Sequence, residues 1–168
     1  KLDYHPVAIK FFFEQEEYDN FNAELIPRAK MTFCQIALAA RFNNYTVKAS
    51  EKNIMCDNCK TVMGFREAED AEVDDHVKYT IDWDFAKECL MTKPKFPVGK
   101  LKGFAFAPLG KAEFDPDVVF FVINPLQAYH IINDYIGAYK VHPVTFTHTV
   151  NSAVCGGSVN CYTENKIN

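Results

Sequence analysis

The sequence predicts an α+β fold: one domain, residues 1–168, with a mixed β-sheet and helices packed against it. Three observations lead there. Apolar, β-branched and aromatic runs stand near both ends of the chain. Helix-capping signatures lie between and after them. No internal repeat, heptad or low-complexity tract interrupts the pattern.

His5 to Phe13 (HPVAIKFFF) is rich in Val, Ile and Phe, with a leading proline that a strand start tolerates. Glu14 to Pro27 is polar and acidic and reads as a connection with one turn of helix. Thr32 and Gln35 form a capping box ahead of an Ala- and Leu-rich helix. Phe33, Ile36, Ala37 and Ala40 share one face of that helix. Tyr45 to Ala49 reads as a short strand. Ser50 to Phe65 carries Cys56-Asp57-Asn58-Cys59, and Gly64 is a helix stop. Arg66 to Asp75 is acidic and expected to be exposed, and Val77 to Ile81 reads as a weak strand. Asp82 caps a helix through Leu90 with Phe85, Ala86, Cys89 and Leu90 inward.

Residues 92–100 hold Pro94, Pro97 and Gly99 and read as an extended linker, followed by a strand over Gly103 to Ala107. Asp117 to Ile123 (DVVFFVI) is apolar on both faces and is expected at the centre of the sheet. Asn124-Pro125 starts a helix through about Ala138, with Leu126, Tyr129, Ile132 and Ile136 as its inner stripe. Val144 to Thr149 is a further strand, and Ser152 is placed to cap a short helix containing Cys155.

The composition excludes several classes. The formal net charge is −4, and the few arginines (Arg28, Arg41, Arg66) are scattered, so no basic stripe marks a nucleic-acid surface. Lys93, Lys95, Lys100 and Lys102 fall in a Pro/Gly loop and read as solvated. The longest apolar runs, such as Val118 to Ile123, are far short of the ~20 residues of a membrane-spanning helix. The 15 Phe imply a large aromatic core, and a homo-oligomer is compatible with them. His130 faces outward; His5, His142 and His148 lie near strand ends. No P-loop, dinucleotide fingerprint, H-E-x-x-H or Ser-His-Asp spacing is present.

Chemistry is therefore sought in the six cysteines. Cys34 follows Thr32 by two residues and Cys155 follows Ser152 by three. At such helix starts free N–H groups and the helix dipole favour a thiolate. Cys56 and Cys59 form a C-x-x-C, a spacing that lets two sulfurs converge on one metal or one disulfide. Cys155 and Cys161 flank a Gly-Gly pair, and Cys89 reads as core packing. For any one of these, the alternative is a small buried hydrophobe. Together they suit an iron–sulfur cluster, which typically takes four thiolates. Zinc competes for the same residues, although no second C-x-x-C supports a zinc ribbon and no His lies beside these Cys. A metal-free thiol enzyme with Cys34 as nucleophile is the alternative from another class.

Several segments carry a family resemblance. They are Tyr4-His5-Pro6-Val7-Ala8-Ile9-Lys10-Phe11, Phe33-Cys34-Gln35, the Cys56-to-Phe65 stretch with its terminal Gly-Phe, and Ala107-Pro108-Leu109. Asp115-Pro116-Asp117-Val118-Val119, Asn124-Pro125-Leu126-Gln127-Ala128 and Ser152-Ala153-Val154-Cys155 continue the order. In order and spacing the chain resembles a prokaryotic family, domain of unknown function 169 (the ArCR group). The resemblance covers nearly the whole chain and implies recurring cysteines at Cys34, Cys56 and Cys155. It implies a fourth cysteine in a C-terminal C-x-G-x-R segment that lies beyond Asn168, so the chain reads as most of a longer domain, short at both ends. The fourth ligand is then Cys59, Cys161 or a cysteine outside the chain.

The expectation is a cytoplasmic [4Fe–4S] protein of an anaerobic prokaryote. It would act in electron transfer or redox sensing through a redox partner protein, without nucleic acid or membrane. A structural zinc module and the metal-free thiol enzyme are the alternatives.

Overall fold

The computed structural model describes residues 2–26, 28–140 and 153–164. Twelve elements occur among them: β1 (Val7–Phe12), α1 (Gln15–Asn20), β2 (Glu24–Leu25), α2 (Phe33–Asn43), β3 (Val47–Ala49), α3 (Asp57–Val62), α4 (Asp70–Val77), α5 (Trp83–Met91), β4 (Gly103–Pro108), β5 (Val118–Phe120), α6 (Pro125–Tyr139) and α7 (Ala153–Glu164). Short 3₁₀ turns occupy Glu51–Asn53 and Leu109–Lys111. The strands form one sheet in the order β2-β3-β4-β1-β5. Only β2 and β3 run parallel; β3–β4, β4–β1 and β1–β5 are antiparallel. The fold is thus α+β with a mixed sheet.

The alternation of side chains along β1 divides the core in two. Val7, Ile9 and Phe11 enter the main core with Phe104 and Phe106 of β4. Register places Ile9 opposite Phe106 and Phe11 opposite Phe104. Phe12 points to the other face, where its ring meets Tyr18 at 5.7 Å and Phe21 at 4.9 Å. Gly103 sits opposite Phe12, and a Cβ there would lie 2.4 Å from the Tyr18 ring. A glycine is what lets α1 close over this face.

Helix α2 follows from its own sequence. Thr32 accepts the Gln35 backbone N–H, and the Gln35 side chain accepts the Thr32 N–H, so the capping box is complete. Phe33, Ile36, Ala37 and Ala40 are all buried. Phe33 packs edge-on against Phe104 at 5.0 Å and Phe106 at 4.8 Å. Helix α3 ends as the glycine predicts: Gly64 has φ +68°, and the Phe65 N–H closes back on the Lys60 carbonyl at 2.9 Å.

Four expectations are corrected. The run Asp117 to Ile123 is no central strand; only Val118–Phe120 pairs, and it does so at the sheet edge with β1 alone. Two local features limit it. The Asp117 carboxylate takes the Phe11 N–H at 2.7 Å, where a backbone carbonyl would otherwise stand. Past Phe120, β1 offers Pro6, which has no N–H to give. The central positions belong to β1 and β4, and every residue of β4 is buried.

Second, Arg66 to Asp75 is not uniformly exposed, since α4 buries Glu72, Val73 and then His76. Val73 packs with Ala86 and Leu90 of α5 as a small second core, whereas Phe85 is exposed. Third, Val77 to Ile81 is a turn: the N–H groups of Tyr79 and Thr80 bond back to the carbonyls of His76 and Val77. Fourth, α6 has its Asn124 capping box, yet Leu126 and Tyr129 of the expected inner stripe are exposed and no residue of the helix is buried. The expected strand Val144 to Thr149 and the expected cap Ser152 lie outside the described residues. No helix among the described residues is long and apolar enough to cross a membrane.

Candidate functional site: a cluster of cysteines

Three helices carry four cysteines toward one region. Cys34 is the second residue of α2 and exposed; its sulfur lies 3.2 Å from the Thr32 hydroxyl that caps the helix. Cys56 occupies the N-cap position of α3, and Cys59 lies one turn later, almost wholly buried. Cys155 is buried in the first turn of α7. Helix α7 rests against both α2 and α3. Its far end is held by Tyr162, whose ring meets Phe11, Phe13 and Phe96 at 5.5–5.6 Å. Those contacts set where Cys155 lands.

Electrostatics tie the four together. The Cys59 thiol is held well above its ordinary value, first by its hydrogen bond to Cys155, next by burial, and then by the neighbouring Cys155, Cys56 and Cys34. Burial pushes Cys56 up; the Cys59 backbone amide opposes this, and Cys155, Cys34 and Asp57 add to it. Cys161 is raised by burial alone, with no thiol acting on it. It continues along α7, because the Gly156-Gly157 pair is helical instead of forming a loop around sulfur. Cys89, on α5, is half-buried and outside both cores. None of the six cysteines is in a disulfide.

The donors are soft sulfurs, the type that iron–sulfur clusters and zinc select. They are close enough to perturb one another. Still, among the described residues no three His, Cys, Asp or Glu are drawn round a common point as metal ligands. Ligation would have to pull the thiols inward, with loss of their protons.

A polar network backs α3. The buried Glu72 carboxylate accepts from the Thr61 hydroxyl at 2.8 and 2.9 Å and from the Arg66 guanidinium at 2.8 Å. Arg66 also reaches Asp57, the residue after Cys56, at 3.4 Å. Asn58, inside the C-x-x-C, meets the buried Lys93 at 3.4 Å, and Lys93 meets buried His76. Sequence reasoning missed Glu72, His76 and Lys93. Lys93 looks solvated in its loop, and burial of α4 depends on α5 and α3, not on its own acidic pattern.

A family model for domain of unknown function 169, described as Uncharacterised ArCR, matches residues 1–168. The chain belongs to this family. No curated protein and no solved structure matches the chain. In this ArCR-family chain, Cys34, Cys56 and Cys155 stand at the starts of three different helices, and Cys59 stands with them.

The raised thiols have a measurable consequence for the metal-free protein. Unfolded cysteines release protons near pH 9, whereas folded Cys59 and Cys56 retain theirs to higher pH. Above about pH 9 the folded state therefore binds more protons, and stability falls as pH rises. The melting temperature is expected to drop between about pH 8.5 and pH 10, and less steeply in Cys59→Ala. Equal slopes in the two proteins, followed by circular dichroism, would refute the assignment.

Proposed function

We propose that this ArCR-family chain holds an iron–sulfur cluster of the [4Fe–4S] type and acts in electron transfer or redox sensing. Cys34, Cys56 and Cys155 are the ligands in this reading, with Cys59 as the fourth. The supporting observation is the mutual influence of four thiols brought from three sequence-distant helices into one partly buried region. Such a site gives a cluster thiolate ligands, backbone amides near sulfur and partial exclusion of water, the factors that set its potential. Cys59 is preferred to Cys161 as the fourth ligand because Cys161 has no thiol acting on it. A cytoplasmic location in an anaerobic prokaryote and a redox protein as partner complete the reading.

Protein purified without oxygen should be brown and contain about four iron and four acid-labile sulfide per chain. Colourless, iron-free protein from the same preparation overturns the proposal. Zinc at one equivalent would instead indicate a structural zinc site.

A second reading rests on Cys34 alone. Its sulfur is exposed at a helix start and touches the Thr32 hydroxyl, the setting of a thiol nucleophile. It predicts rapid alkylation of Cys34 in metal-free protein, far ahead of the other five thiols.

A further inference from the structure

Arg41 stands in the last turn of α2. Its guanidinium carbon lies 4.5 Å from the centre of the Tyr4 ring and 4.5 Å from that of Phe42. Both rings are at the surface, Tyr4 52% and Phe42 69% exposed, and neither belongs to a core. Between them, Nε and Nη1 of Arg41 are shut off from solvent, and neither has an acceptor. Among the described residues no carboxylate pairs with this charge. Asp3, next to Tyr4 in the chain, turns to the Asn124 amide at 3.4 Å. Arg66, by contrast, spends its guanidinium on Asp57, Glu69 and Glu72.

A guanidinium carries its N–H donors in its own plane, whereas an aromatic ring attracts a cation through its π-face. The two rings therefore offset part of the burial of the charge and satisfy none of the N–H groups. A charged donor kept from water without an acceptor is costly. Nη2 is the nitrogen left open. The oxygen pairs of carboxylates and phosphates match two adjacent guanidinium N–H groups. An oxyanion taken at Nη2 gains a second bond at Nη1 or Nε when the exposed Phe42 ring turns aside.

We propose that Arg41, held between Tyr4 and Phe42, is a binding site for an oxyanion, a carboxylate or phosphate group. Arg41 follows Cys34 by two turns of α2, about 10 Å along the helix axis. The site is thus apart from the cysteines and stands whether or not a cluster occupies them.

Arg28, Arg41 and Arg66 are the arginines of the chain, so nitrogen-15 labelling gives one Nε–H resonance for each. Arg41→Lys identifies the Arg41 signal by its loss. Sodium acetate and sodium phosphate are titrated separately at one pH, with chloride holding the ionic strength constant. The Arg41 signal should shift and saturate as a single site. Exposed Arg28 and carboxylate-bound Arg66 should hardly move. A stronger response to phosphate assigns the site to phosphoryl ligands, and a stronger response to acetate assigns it to carboxylates. The saturating anion should also raise the melting temperature of the wild type and leave that of Arg41→Met unchanged. Should Arg41→Met fail to fold, Arg41→Lys keeps the charge without the planar fork, and its melting-temperature response should shrink. No saturable shift at Arg41 overturns the proposal, as does an equal shift at Arg28. A signal that Asp3→Asn displaces before any anion is added would reveal an internal ion pair, and that too overturns it.

Discussion

Phe106→Ala is expected to cost about 3–5 kcal/mol of folding stability, the range for truncating a fully buried aromatic ring. Phe106 is 0% exposed on the central strand β4. Its ring meets Phe33 at 4.8 Å and Phe104 at 5.4 Å. Its cross-strand neighbours are Ile9 on one side and Val47 on the other. Loss of the ring would open a void between α2 and three strands, and little there can collapse into it. A domain typically has only about 5–15 kcal/mol in all. Phe121→Ala, just past the end of edge strand β5, should cost under about 1 kcal/mol, because Phe121 is 37% exposed. Urea denaturation of both variants decides the matter. Equal losses would place the sheet's centre at β5, as the bare hydrophobic pattern of residues 117–123 suggests, and would contradict the strand order.

The second large effect concerns the cysteines. Cys34→Ser, Cys56→Ser, Cys59→Ser and Cys155→Ser should each reduce iron in anaerobically purified protein to below about a tenth of the wild-type value, since even outer-shell changes at metal sites cost 10–100-fold. Cys89→Ser and Cys161→Ser should retain it. Serine nearly matches cysteine in size, so the helices that present these side chains should stay in place, and circular dichroism of each variant checks this. Iron lost with Cys161→Ser and kept with Cys59→Ser would transfer the fourth ligand from α3 to α7. Iron kept in all six variants would place any cluster elsewhere.

What the chain reveals of itself depends on how local the cause is. Helix α2 is legible because its cap, its Gln35 partner and its apolar face lie within a dozen residues. The stop at Gly64 is legible for the same reason. The place of a strand in the sheet is not local: Val118–Phe120 and Gly103–Pro108 are both apolar, and only pairing shows that β4 is flanked on both sides and β5 on one. Helix α6 misleads in a similar way. Its stripe has helical spacing, but Leu126 and Tyr129 are exposed. At the site, Cys34 and Cys155 were marked by helix-start positions, Cys56 by its C-x-x-C spacing, and all three by the family resemblance. Cys59 and Cys161 are both open as the fourth ligand in the sequence, and the structure separates them by burial and by the thiols that act on them. Lys93 and His76 carry no local sign of burial, because what encloses them comes from α3, α4 and the loop before β4 together.

The sequence distance between the site's parts also governs when it can exist. The sheet's central pair joins Val7 to Pro108, and Cys155 of α7 joins the cysteines of α2 and α3. During synthesis, Cys34, Cys56 and Cys59 leave the ribosome long before Cys155. Until β4 is made the emerging chain carries an unpaired β1, and until α7 is made and docked Cys34, Cys56 and Cys59 lack the thiol of Cys155. Non-local closure of this kind is slow, because chain entropy must be spent before the contacts form. Under the proposed function, a cluster would therefore be loaded only after α7 is made and docked, and until β4 emerges the open edge of β1 is a site where the nascent chain can misassociate.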